Sequence, residues 1–191
     1  MALYNAIKDE ADKARIAVVI SNNSDAGALA VARSFHVPAI HLSQKQYLSN
    51  SEFVEALLRT LESFQVTLIV LAGYMKKIDP RIIGRYKNRI INIHPALLPA
   101  FGGQGMYGHH VHEAVIASGA KISGATVHIV DEEFDHGKII LQESVPVEPD
   151  DTPGTLAERV LKVEHTVLPR AVRLFAENKI EIRNGEVHIL S

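Results

Sequence analysis

The 191 residues are 47% hydrophobic and 22% charged, a balance that suits a chain burying a sizeable core. A formal net charge of −2 gives no bulk pull toward nucleic acid or acidic lipid. The complete lack of cysteine removes disulfides, thiolate nucleophiles and cysteine-ligated zinc together, and fits a reducing, cytoplasmic setting.

Along the chain, residues 2–11 place Leu3, Ala6, Ile7 and Ala11 at helical spacing, with no apolar stretch of the signal-peptide kind. Residues 15–20 (RIAVVI) form a β-branched run expected of a buried strand, residues 25–35 a helix and 38–42 a short strand. Residues 51–64 set Phe53, Leu57, Leu58, Leu61 and Phe64 on one helical face, with Ser51 as the expected N-cap. A strand over 67–72, a short helix from Pro80 and a strand over 89–93 follow. This alternation predicts parallel βαβ units with helices on both faces of the sheet.

The second half reads differently. A loop over 94–107 and a helix near 109–118 precede two extended runs, 122–130 and 138–147, separated by a polar turn. That pattern predicts an antiparallel extension of the sheet. Residues 153–177 predict a long amphipathic helix interrupted or kinked near Pro169, and Asn184-Gly185 predicts a closing hairpin over 180–190. The expected architecture is a single Rossmann-like α/β domain over residues 1–191, mostly parallel, with that antiparallel addition. The longest apolar runs, such as 68–72, fall far short of a membrane span.

In open α/β sheets, ligands bind beyond the carboxyl ends of the parallel strands. Two such ends are rich in chemistry. Residues 92–99 read Asn-Ile-His-Pro-Ala-Leu-Leu-Pro, so Asn92 and His94 project to the same side of a strand and the prolines stiffen its exit. An amide donor beside an imidazole suits an oxygen that gains negative charge. Residues 130–137 (VDEEFDHG) supply several carboxylates, any one of which, close to His94, would favour its charged form and accept a proton. Spacing does not say which. His109, His110 and His112 invite a metal reading, but nothing in such chemistry calls for a metal, and none is expected.

These segments, with GATVHIV (124–130), FDHGKII (134–140) and LAGYM (71–75), resemble the phosphoribosylglycinamide formyltransferase family over nearly the whole chain. The resemblance implies formyl transfer from 10-formyltetrahydrofolate, a co-substrate, to the glycinamide amine of a purine precursor. By position it implies Asn92, His94 and Asp135 as the catalytic trio. It implies Met75, Lys76, Lys77 and Ile78, with Asn92, along the folate, and Pro95 and Glu164 on the amine substrate, Glu164 holding ribose hydroxyls. The glycine-rich loop 101–108 reads equally as a mobile cover or as a plain turn.

Two related activities stand as alternatives: a formyltetrahydrofolate hydrolase, whose family carries a second histidine where Pro95 stands, and a non-catalytic folate- or nucleotide-binding module. The resemblance also implies a strand and a Gly/Ser-rich phosphate loop before the first helix, which here starts at Ala2. The expectation is therefore that Met1 is an internal methionine, and that strands 15–20 and 67–72 lack a shared neighbour.

Overall fold

The computed structural model describes residues 1–8 and 14–191. Its elements follow the expected order. They begin α1 (Ala2–Ile7), β1 (Val19–Ser21), α2 (Gly27–Ser34), β2 (Ala39–His41), α3 (Asn50–Ser63), β3 (Ile69–Leu71), α4 (Pro80–Arg85) and β4 (Ile90–His94). They continue with α5 (His109–Ser118), β5 (Ile122–Ile129), β6 (Ile139–Pro146), α6 (Pro153–Ala176), β7 (Ile180–Arg183) and β8 (Glu186–Ile189). Residues 9–11 of the expected first helix lie outside the described residues.

The pairing is parallel in the first half and antiparallel in the second. β1 pairs with β2 and β3 with β4, both parallel, whereas β4–β5, β5–β6 and the β7–β8 hairpin are antiparallel. β1–β2 and β3–β4–β5–β6 form separate sheets, and among the described residues no strand joins β1 to β3. The early strands are three residues long, shorter than their apolar runs, because only those residues find partners for a ladder.

Several local expectations shift. The N-cap of α3 is Ser49, which accepts the Glu52 N–H at 3.2 Å, and not Ser51. Ser51 lies inside the helix, where its hydroxyl accepts from the Arg81 guanidinium at 2.9 Å. α6 runs through Pro169 without interruption, its start fixed by Thr152, which accepts from the Thr155 N–H, and by Pro153 in the first turn. Pro169 is buried within the helix, so packing offsets the hydrogen bond that its ring removes.

The main core lies between the β3–β6 sheet and α6. Residues 123–129 of β5 are buried on both faces, and Ala125, Val127 and Ile129 pack with Leu156, Val160, Leu168 and Phe175. Ile7 of α1 joins this cluster. A second cluster behind β3 and β4 gathers Val54, Leu61, Ile82, Tyr86 and Ile90.

The β5–β6 ladder shifts register between Val127 and His128, and the backbone there leaves no room for a side chain at Gly137. A Cβ on Gly137 would stand 1.8 Å from the Ile129 carbonyl oxygen. Gly137→Ala is therefore expected to destabilise the fold by on the order of 3 kcal/mol in urea denaturation, since backbone has to move. A loss below about 1 kcal/mol would mean that the turn relaxes freely.

Candidate active site

β3 and β4 are adjacent and parallel, so their carboxyl ends open on the same side and bring the loops after them together. Within β4, Ile91 and Ile93 face the core while Asn92 and His94 project the other way. The antiparallel register then sets Asn92 opposite His128 and His94 opposite Thr126.

The Asn92–His128 pair has only one sensible proton arrangement. His128 Nδ1 lies 2.9 Å from the Ile129 carbonyl, which only accepts, so Nδ1 carries the hydrogen. In the neutral ring Nε2 is then an acceptor, and Asn92 Nδ2 donates to it at 3.1 Å. This orients the Asn92 amide and leaves its second N–H for the cleft.

His94 is 3% exposed, and its Nε2–H donates to the Phe101 carbonyl at 2.8 Å. Its Nδ1 stands 3.5 Å from Asp135 Oδ2, while Asp135 Oδ1 stands 3.6 Å from His128 Nε2. The Gly103 N–H donates to Asp135 Oδ2 at 3.0 Å. One carboxylate thus touches two imidazoles and the start of the 101–108 loop. Asp135 and Phe101 both hold positive φ, 56° each, a strained backbone for non-glycine residues that the surrounding contacts hold in place.

The loop's first residues, Phe101 to Gly103, are thus tied to His94 and Asp135. A Cβ at Gly102 would lie 2.5 Å from the end of the Leu98 side chain and 3.1 Å from Asp135 Cβ, so a larger residue there would press on both.

Burial pushes the His94 imidazole below its ordinary value; Asp135 and the Phe101 carbonyl recover part of this, and His128 opposes them. The expected shift toward the charged form is thus outweighed by desolvation. Burial also works against the Asp135 carboxylate, but the His128 and His94 imidazoles beside it and the Gly103 N–H prevail and hold it below its ordinary value. Burial dominates at His94, so the ring is neutral in the open cleft, its Nδ1 beside a standing carboxylate.

These groups form the floor of a cleft of about 730 Å³. Met75, Lys76, Lys77 and Ile78, from the loop after β3, line one wall, and Pro95 and Glu164 line it as well. Every residue expected to act in catalysis or to contact the folate or the amine substrate borders this space. Apolar side chains also stand exposed along it: Met75, Tyr107, Phe134 and Leu161. A cleft of that size, with exposed apolar side chains along it and polar groups gathered around Asn92, His94 and Asp135, has the make-up of a small-molecule site.

Glu164, on α6, has its carboxyl raised by burial. Of the three histidines considered for a metal, His109 and His110 are exposed and face Glu113 at 3.7 and 3.2 Å, whereas His112 is buried. Among the described residues no group of three or more His, Asp or Glu side chains converges on a common point where a metal ion would sit.

Several positioning residues escaped the sequence reading. His128 stood in view within GATVHIV, but its part depends on the register that sets it beside Asn92. Thr126 donates to the Ala96 carbonyl at 2.7 Å and accepts from the Leu98 N–H at 3.0 Å. Its cross-strand neighbour Gln142 donates to Thr126 and to the Leu98 carbonyl. Together they fix the exit loop that Pro95 begins. The alternating polar residues of β6 were the only available signal for Gln142.

The sequence pattern described as formyl transferase matches residues 1–172. The chain belongs to the formyl transferase family. It is 39% identical over 193 residues to the chloroplastic phosphoribosylglycinamide formyltransferase of Vigna unguiculata, covering 99% of this chain and 61% of that protein. With the phosphoribosylglycinamide formyltransferase of Haemophilus influenzae it shares 36% identity over 176 residues, 92% of this chain and 81% of the relative. A crystal structure of glycinamide ribonucleotide transformylase 1 from Symbiobacterium toebii superposes with a TM-score of 0.89 at 40% identity, covering 100% of this chain and 89% of that one. The chain thus spans about three fifths of the length of the Vigna relative. No described helix of this formyl transferase family member is long and apolar enough to cross a membrane.

Proposed function

We propose that this chain transfers the formyl group of 10-formyltetrahydrofolate to the glycinamide amine of 5'-phosphoribosylglycinamide, a step of purine biosynthesis in the cytoplasm. The observation that carries the reading is the meeting of Asn92, His94 and Asp135 at the floor of the cleft beside the Met75–Ile78 wall. The bound folate supplies the formyl group. Asn92 offers its free N–H to the formyl oxygen as it gains negative charge, and His94 adds a charged N–H once its Nδ1 has taken up a proton. The amine nitrogen bonds to the formyl carbon; Asp135 accepts the proton that the amine gives up, directly or through one water, and by way of His94 Nδ1 it passes to the folate nitrogen as the bond between that nitrogen and the formyl carbon breaks. Pro95 holds the β4 exit against the amine substrate, and Glu164 accepts from its ribose hydroxyls.

The test is a formyl-transfer assay on the full chain with and without the amine acceptor. Folate turnover is expected only when the acceptor is present. Turnover of equal rate without it would assign a hydrolase, and folate binding with no turnover at all would assign a binding module.

Glu164 permits a second check. A carboxyl raised by burial is less stable charged in the fold than unfolded, so its contribution weakens folding as pH rises through its titration. Glu164→Gln is therefore expected to stabilise the protein at pH 7 while weakening acceptor binding about tenfold or more. Unchanged acceptor affinity would remove Glu164 from the site.

A further inference from the structure

His112 is the one buried imidazole of the cleft that the fold leaves unsatisfied. It lies in the first turn and a half of α5, is 5% exposed, and lines the same cleft as Asn92, His94 and Glu164. Its Nδ1 is sealed from solvent and has no hydrogen-bond partner. Its Nε2 has no protein partner either but is not sealed, so it is the ring nitrogen that reaches the cleft. The other buried unpaired side-chain group among the described residues, the Ser123 hydroxyl, does not border the cleft.

The sealed nitrogen decides the tautomer. A hydrogen on Nδ1 would be a buried donor without an acceptor, which folded proteins almost never tolerate, whereas a bare lone pair there is the lesser penalty. The proton therefore sits on Nε2. Burial, with His109 and His94 nearby, also holds the ring below its ordinary titration, so it stays neutral near pH 7. The result is a rigid, uncharged N–H donor aimed into the cleft near His94, with no acceptor for it among the described residues.

We propose that His112 positions the amine substrate by donating its Nε2–H to the amide carbonyl oxygen one carbon away from the attacking nitrogen. A neutral donor matches an uncharged carbonyl better than a phosphate, and the place beside His94 is the reacting end of the cleft. The proposal rests on the acceptor assigned above.

Calorimetry of 5'-phosphoribosylglycinamide with the full chain and with His112→Phe tests it. The acceptor Kd is expected to rise about tenfold in His112→Phe, the value of one good hydrogen bond, while folate Kd is unchanged. His112→Gln, which keeps a donor at that reach, should restore most of the affinity. An acceptor analogue with a methylene in place of the carbonyl should bind both proteins alike. Independently of activity, the ¹⁵N spectrum of the unaltered chain should show His112 with its hydrogen on Nε2, and that signal should move on acceptor binding.

A hydrogen on Nδ1, or an acceptor Kd unaltered in both variants, would overturn the proposal and leave the formyl-transfer reading standing. Acceptor binding weakened by His112→Phe in a chain that transfers no formyl group would overturn the reaction alone. No acceptor binding to the unaltered chain would overturn both.

Discussion

Replacing either His94 or Asn92 by alanine is expected to lower kcat by on the order of 10²-fold or more, with folate affinity kept within a few-fold. Asn92 has one N–H committed to His128 and one free, so Asn92→Ala removes the free donor and leaves His128 Nε2 without its partner. His94→Ala removes the imidazole, empties a largely buried place at the end of β4, and frees the Phe101 carbonyl that anchors the 101–108 loop. Its stability should therefore fall too, so the comparison that matters is kcat at saturation below the midpoint of thermal unfolding. The double variant should lose little beyond the worse single one, because both groups act on the same oxygen. Asn92→Ala with kcat within about threefold of the unaltered chain would remove the oxyanion role.

Asp135→Asn is expected to cost about 10²–10⁴ in kcat, the range for losing a general acid–base group. The substitution keeps the size of the side chain and an oxygen for the Gly103 N–H, but it removes the charge that faces His94 and His128. Near-normal turnover would sink the proton-transfer role.

A stability measurement gives a second readout. Because Asp135 is held below its ordinary value in the fold, its carboxylate stabilises the folded state above the unfolded pKa of about 3.9, and that contribution is lost as pH falls through the lower folded value. Unfolding free energies of Asp135→Asn and the unaltered chain should thus differ at pH 7 and converge on strong acidification. Parallel curves would mean that the carboxylate is not engaged in the fold.

The same residues mark what was legible beforehand. Periodicity and turn chemistry were enough to find the order of the elements, because they are local properties. Pro80 opening α4, the β-branched runs and Asn184-Gly185 between β7 and β8 each act within a few residues. Strand lengths and the cap of α3 were misjudged where a distant partner decided them. Ser49, rather than Ser51, caps α3 because Ser51 is already inside the helix and engaged by Arg81, thirty positions away.

The site divides in the same way. That Asn92 and His94 share a side follows from the two-residue repeat of a strand, which needs no tertiary knowledge. Which carboxylate of 130–137 meets them does not. Asp135, and not Asp131 or its neighbours, is chosen by the register shift after Val127, the tight place at Gly137 and the positive φ of Asp135 itself. The same cross-strand register, invisible in composition and spacing, draws in His128 beside Asn92 and Thr126 with Gln142 under the exit loop. It was likewise tertiary burial, which no periodicity reports, that separated His112 from His109 and His110. Sequence determined which chemical groups this chain carries and on which local elements; only the packed sheet decided which of them touch, because contacts between distant residues depend on register and closure rather than on neighbours in the chain.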